Sequence, residues 1–287
     1  MTPAAPLSHD AALIRLLDDP SPAVRRALLA HFSARPGEAL RLLSALAQNP
    51  KSPLAPIAQG YLDELELSDP AEDFRALIRA RSYELETGAL FLARVVEPDL
   101  KHARINDVLD RWAERCADLI TEPSSAREKC RIINRVLFHE EQLRGNQESY
   151  MDPDNSFLHR VLERRTGIPI SLSTLYLLVA QRVGLDLEPV ALPGHFVVGC
   201  YLDDTPFFID AFEGGMLRSA EDIVARLRRE RVEVSLEDLV PATTAEVLCR
   251  MCRNLVVHFA HAGDRERSVL FAGFVAAFEQ SAEDDPA

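Results

Sequence analysis

An α+β fold that is mostly α-helical is predicted by three features of this 287-residue sequence. Apolar residues recur at helical spacing over most of residues 9–183. Three β-like runs follow Gly184, namely Leu187–Leu192, His195–Leu202 and Pro206–Phe212, with Asp203-Asp204-Thr205-Pro206 as turn residues between the last two. Helical spacing then returns from Glu221 to Phe278. Helices followed by a small group of antiparallel strands make an α+β core. The expected division is helical hairpins over 1–68, an α+β domain over 69–240 and a helical hairpin over 241–287.

Taken in order, Ala12-Leu13-Ile14 with Leu16-Leu17 gives the first apolar stripe. Asp19-Pro20-Ser21-Pro22 breaks it, and a second helix starts with Pro22 in its first turn. This stretch resembles one HEAT-type unit of paired helices; the following pair, near Pro36–Asn49 and Pro53–Glu66, is degenerate. Residues 71–120 continue helical, and Ile105, Val108, Leu109, Trp112, Cys116 and Leu119 mark a single buried face. Thr121–Ser125 reads as a loop. A helix through Ile132–Phe138, a polar turn-rich section from Gly145 to Asn155, and a helix from Ser156 through Leu162 come next. Gly167 fits the position just past that helix. Pro169 forces an extended approach, and Ser171 or Ser173 can cap a helix from Leu172 to Val183 that is apolar nearly all round and so central and buried. In the tail, Glu221–Arg229, Thr243–His261 and Arg265–Phe278 read as helices, with Gly263-Asp264 turning between the last two and Ala282–Ala287 as an acidic, frayed end.

Composition restricts the function classes. The net charge is −13, and no basic run tracks a phosphate backbone, so neither nucleic acid nor an anionic membrane is an expected partner. No apolar run approaches the ~20 residues of a membrane helix, and Met1–Pro6 has neither the basic nor the apolar region of an export signal. The five scattered cysteines suit reduced thiols in a cytoplasmic protein. Cys249 and Cys252 form a CxxC within a helix, without a second ligand pair, and read as small core residues. No metal or cofactor is expected.

Several spaced motifs point further: Glu86–Leu90; Leu137-Phe138 leading to Gly145-Asn146; Tyr150 with Asp152-Pro153 and Asn155-Ser156; Arg165–Leu172; Pro193-Gly194-His195-Phe196; and Asp210-Ala211-Phe212. Over roughly residues 70–275 the chain resembles the transglutaminase-like proteins of the bacterial SirB type, which carry a tetratricopeptide-type tail, and their eukaryotic F-box relatives. The resemblance implies a transglutaminase/papain-like core with a small antiparallel sheet. It also implies a Cys–His–Asp triad, with a thiol at the start of the central helix, a histidine on the next strand and an aspartate on its neighbour. His195 and Asp210 fill the last two places. Direct opposition of the two would centre the turn between Leu202 and Asp203, whereas the turn residues lie slightly later, and a one-residue shift would part their faces.

The thiol is missing, since no cysteine lies between Cys130 and Cys200. Ser171 and Ser173 stand at the helix start instead, as nucleophiles activated by His195 or as ordinary capping residues. Asn146, Asn155, Pro193, Gly194 and Phe196 are candidates to line a pocket beside His195, although asparagines in turn-rich sequence commonly bond backbone. Two functions compete: a transglutaminase-like protein without its cysteine that binds another protein or peptide through its cleft and helical flanks, and an acyl-transfer or amide hydrolase using Ser171 or Ser173 with His195 and Asp210. A third is an inert helical scaffold.

Overall fold

The computed structural model describes residues 9–49, 51–65, 69–81, 83–203, 205–229 and 231–283. The Met1–Pro6 segment, Glu66, the expected boundary residue 68, Asp204 of the turn and the last four residues of the acidic tail lie outside them. Two compact units are present: one runs up to Phe74 and takes in Arg94–Leu100, and the other comprises Arg75–Ala93 and Lys101 onward.

In the first unit, α1 (His9–Leu16), α2 (Pro22–Ala34), α3 (Pro36–Ala47) and α4 (Ala55–Glu64) follow the expected breaks, with proline in the first turn of α2, α3 and α4. There its missing N–H costs nothing. Their apolar stripes meet in one core of Leu13, Leu28, Phe32, Leu43 and Tyr61. Helices α5 (Pro70–Ala80) and α6 (Leu85–Val96) follow.

The second unit continues with α7 (His102–Leu119), whose Ile105, Leu109, Trp112 and Cys116 are buried as their spacing predicts. Then come α8 (Ala126–Asn134), a π-helical turn over Arg135–Glu140, β1 (Arg144–Gly145), a 3-10 turn over Pro153–Ser156, α9 (Leu158–Arg164), β2 (Thr166–Gly167) and α10 (Pro169–Arg182). The first twelve residues of α10, Pro169 to Ala180, are all buried, so it is the central helix. After it, β3 (Glu188–Leu192), β4 (His195–Cys200), β5 (Phe207–Asp210) and β6 (Met216–Arg218) form one antiparallel sheet in sequence order. Helices α11 (Ala220–Arg229), α12 (Thr244–His261) and α13 (Arg265–Glu283) complete the chain.

Three local expectations are corrected. Gly167 does not terminate α9: Arg165 does, at φ +58°, its N–H bonded to the Val161 carbonyl. Gly167 pairs instead with Gly145 in the parallel β1–β2 ladder. Nor does α10 wait for a serine cap. It starts at Pro169, whose fixed φ suits the first helical position, with Ile168 as N-cap and Ser171, at the third position, accepting from the Ile168 N–H. Finally, β6 is a fourth strand, too short and too exposed to show alternation.

The sheet has two covered faces. Val190, Leu192, Val197 and Phe208 pack with Ile223, Val224 and Leu227 of α11. By alternation, Phe196, Val198 and Cys200 of β4 point the other way. Cys200 is near enough to Tyr176 of α10 to help raise the pKa of its hydroxyl, which places α10 on that second face.

Candidate functional site

His195 opens β4 because Pro193 and Gly194 make the two-residue turn from β3, with Gly194 at φ +71°. Both turn residues are exposed. The β4–β5 ladder pairs Val198 with Ile209, and continuing that register sets Asp210 opposite Val197. His195 and Asp210 are therefore offset by two residues and not directly opposed. An even offset keeps both on one face, so the later turn does not part them. The His195 Nε2–Asp210 Oδ2 distance is 2.9 Å.

Cations from two further elements complete this centre. Arg226 of α11 donates from Nη1 to Asp210 Oδ2 at 2.8 Å, and Arg218 of β6 lies with Nε 3.9 Å from the same oxygen. Asp210 Oδ1 accepts from the Glu213 N–H at 3.2 Å. Burial alone would raise the Asp210 carboxyl, but the bond to His195, the charges of His195 and Arg226 and the Glu213 amide together hold it below the usual aspartate value. The carboxylate is thus ionised and fixed, and it in turn fixes the ring of His195. Both side chains lie on the α11 side of the sheet, with Val197. Phe196, the next residue on the strand, points to the opposite face and is 1% exposed.

Neither serine joins them. Ser171 is the third residue of α10. Its Oγ donates to the Asn155 carbonyl at 2.6 Å and accepts from the Ile168 N–H at 3.1 Å. Ser173 Oγ is buried without a hydrogen-bond partner. Asn146 and Asn155 bond each other at 2.9 Å, and Asn155 Nδ2 donates to the carbonyls of Ser149 and Tyr150. The two asparagines thus hold the 145–155 turns against the start of α10. Gly167 is required there too, since a Cβ would lie 2.7 Å from Ser171 Oγ. The geometry can orient one imidazole and hold a negative charge in place. It does not present a hydroxyl to that imidazole.

No thiol substitutes for the hydroxyl. All five cysteines are free and buried, and burial pushes Cys116 and Cys130 up to about 12. Among the described residues, His9, His31 and Glu38 of the first unit are the three potential metal ligands that converge. The Arg35 guanidinium, which can only donate, contacts His31 Nδ1 at 2.9 Å. This puts the ring proton on Nε2, facing Glu38, where a metal would need a lone pair.

Arg218, Arg226 and Glu213 were not legible as site residues, since each reads as ordinary surface charge in an amphipathic stretch. His159 and His258 are buried as well, and no sequence signal pointed to a role for His258. Its Nδ1 is 3.5 Å from Ser156 Oγ and its ring packs on Tyr150. Burial pushes its pKa below the ordinary histidine value, the Asp152 charge opposing and His261 assisting. The unfolded chain therefore takes up this proton first as pH falls. Stability contributed by neutral His258 is expected to be complete above about pH 6.5 and to decline below it. Urea melts at pH 7.5 and 5.5, on wild type and His258→Gln, check this: an unchanged pH dependence in the variant would refute it.

Residues 103–253, from α7 into α12, match the family described as the transglutaminase-like superfamily. The chain is 33% identical to a UPF0162 protein of Xylella fastidiosa over 199 residues, covering 67% of this chain and 71% of the relative. It is 27% identical to a UPF0162 protein of Vibrio cholerae, covering 50% of this chain and 51% of the relative. F-box only protein 21 of Mus musculus is 39% identical over 132 residues, which are 43% of this chain and 21% of that protein. No solved structure matches the chain. Among the described residues, no helix is long and apolar enough to cross a membrane.

Proposed function

Because the chain belongs to the transglutaminase-like superfamily, we propose that it is a member working without the cysteine nucleophile, binding another protein or peptide through its cleft and helical flanks. The observation that carries this reading is the start of α10. No cysteine stands there, the Ser171 hydroxyl is committed to Asn155 and Ile168, and His195 lies on the sheet face turned to α11. The His195–Asp210 pair is then a buried, charge-compensated strut that holds β4 and β5 to α11. We assign the chain to the SirB type, with α1–α4 as HEAT-like hairpins over 1–68, the transglutaminase-like domain over 69–240 and α12–α13 as a tetratricopeptide-like hairpin over 241–287. A cytoplasmic location accords with the reduced cysteines.

Labelling with a fluorophosphonate reagent tests the reading. Folded protein is expected to remain unlabelled. Stoichiometric labelling lost in Ser171→Ala or Ser173→Ala, and lost also in His195→Ala, would overturn the proposal in favour of an acyl-transfer or amide hydrolase. A random peptide library panned against the protein is expected to yield an enriched consensus, and its failure to do so would count against the binding role.

A further inference from the structure

A cavity of about 710 Å³ lies in the second unit, walled by Ala191 of β3, the segment Asp238–Ala242, residues Ala245–Arg253 of α12, and Phe278–Ala282 of α13. That volume is in the range of small-ligand sites. Arg250 is its unusual feature. The side chain is half-buried, and among the described residues it makes no ion pair with a carboxylate and one hydrogen bond, from Nη2 to the His195 carbonyl at 3.2 Å. A guanidinium carries five N–H donors, so most of this one's capacity is uncommitted. Burying a cation without a counter-charge is costly.

The other charges around the cavity are already engaged. Asp238 accepts from the N–H and Oγ of Ser235, and Glu246 accepts from the N–H and Oγ of Thr243. Glu279 pairs with Arg253 at 3.0 Å, and Arg81 donates to the carbonyl and Oγ of Ser281. Apolar surface surrounds them. Tyr83 and Phe278 pack with ring centroids 5.8 Å apart, and Val240 is 58% exposed. The edge of β3 adds backbone groups. Pro189 O accepts from the Ala242 N–H at 2.8 Å, away from β4. By strand alternation, the N–H and C=O of Ala191 point outward in the same direction.

We propose that this cavity binds a carboxylate carried on an apolar body, with Arg250 as its counter-ion. A carboxylate fits better than a phosphate. One planar fork matches a carboxylate in bidentate fashion, whereas a dianion would meet three acidic side chains with a single unpaired cation to offset them. The Tyr83, Val240 and Phe278 wall takes the apolar body. The proposal concerns a site other than the His195–Asp210 centre and stands whether or not that centre is catalytic.

The test is an amide-resolved NMR titration of the full chain with three ligands: N-acetyl-Ala-Ala-Val-Leu bearing a free carboxylate, its C-terminal amide, and 4-phenylbutyrate. The free acid is expected to shift the amides of Val240, Ala242 and Ala245 saturably, with the amide weaker by about tenfold or more. Arg250→Gln should weaken the acid by a similar factor, and Arg250→Lys by less. Binding of 4-phenylbutyrate at the same residues would identify small carboxylates as ligands, and binding of the peptide acid alone would identify chain termini. No saturable shift with either acid, equal affinity for peptide acid and amide, or no effect of Arg250→Gln in a folded variant would overturn the proposal. If Arg250→Gln fails to fold, the comparison of acid with amide on wild type still decides.

Discussion

Asp210→Ala is expected to destabilise the protein by about 3–5 kcal/mol, the usual cost of removing one partner from a buried ion pair. The carboxylate is 2% exposed and faces His195, Arg226 and Arg218 together. Alanine would remove one of the two carboxylates that pair with Arg226, Glu213 being the other, and would take away the acceptor at His195 Nε2. It would also remove the acceptor for the Glu213 N–H that starts the 3-10 turn after β5. Asp210→Asn should cost less, because its amide oxygen can still accept from one of these donors. Urea unfolding followed by circular dichroism measures both, and a loss below about 1 kcal/mol for Asp210→Ala would refute the estimate. The pH dependence has a definite sign. Since the folded carboxyl lies below its ordinary value of about 3.9, its stabilisation is complete above that pH and is lost as pH falls through the folded value. Asp210→Asn should lack that acid step.

This centre illustrates how much was legible in the sequence. The nearly all-round apolar pattern of Leu172–Val183 predicted a buried helix, and the strand signals after Pro193-Gly194 put His195 and Asp210 on neighbouring strands, while their common face depended on a register the sequence left open. Local pattern carries that information, because it is expressed within a turn or a strand. The cations on Asp210 were not legible. Arg226 lies 16 residues away on α11, whose hydrophilic face looks like a solvated one until the fold folds it over β5. Ser171 shows the same limit. A serine near a helix start has a local capping reading and a nucleophile reading, and the partner that decides between them, the Asn155 carbonyl, sits 16 residues back. The π-helical turn at Arg135–Glu140 likewise has no periodicity distinct from the helix it extends. Side-chain roles that depend on register and on distant elements are therefore what the sequence withheld.

The link from β5 to β6 supplies the second large effect. Gly214 and Gly215 both have positive φ, +67° and +76°, so a side chain at either meets backbone strain of about 1–2 kcal/mol. Their surroundings differ. A Cβ on Gly214 would meet nothing within 4 Å, whereas one on Gly215 would lie 2.4 Å from Asn134 Oδ1 and 2.7 Å from the Phe138 ring. Asn134 cannot swing aside freely, because its Nδ2 donates to the Gly215 carbonyl at 2.6 Å, and Phe138 is packed on Tyr176 of the central helix. Gly215→Ala therefore adds overpacking to strain and is expected to cost about 2–5 kcal/mol, against about 1–2 kcal/mol for Gly214→Ala. The Gly215 N–H also bonds the Asp210 carbonyl at 2.9 Å, so the clash is transmitted to the strand end that carries the carboxylate. A nitrogen NMR signal from the His195 ring should accordingly shift in Gly215→Ala and stay in place in Gly214→Ala. Equal destabilisation by the two substitutions would show that backbone strain alone governs this turn, and that contact with Asn134 and Phe138 contributes nothing to holding the His195–Asp210 pair.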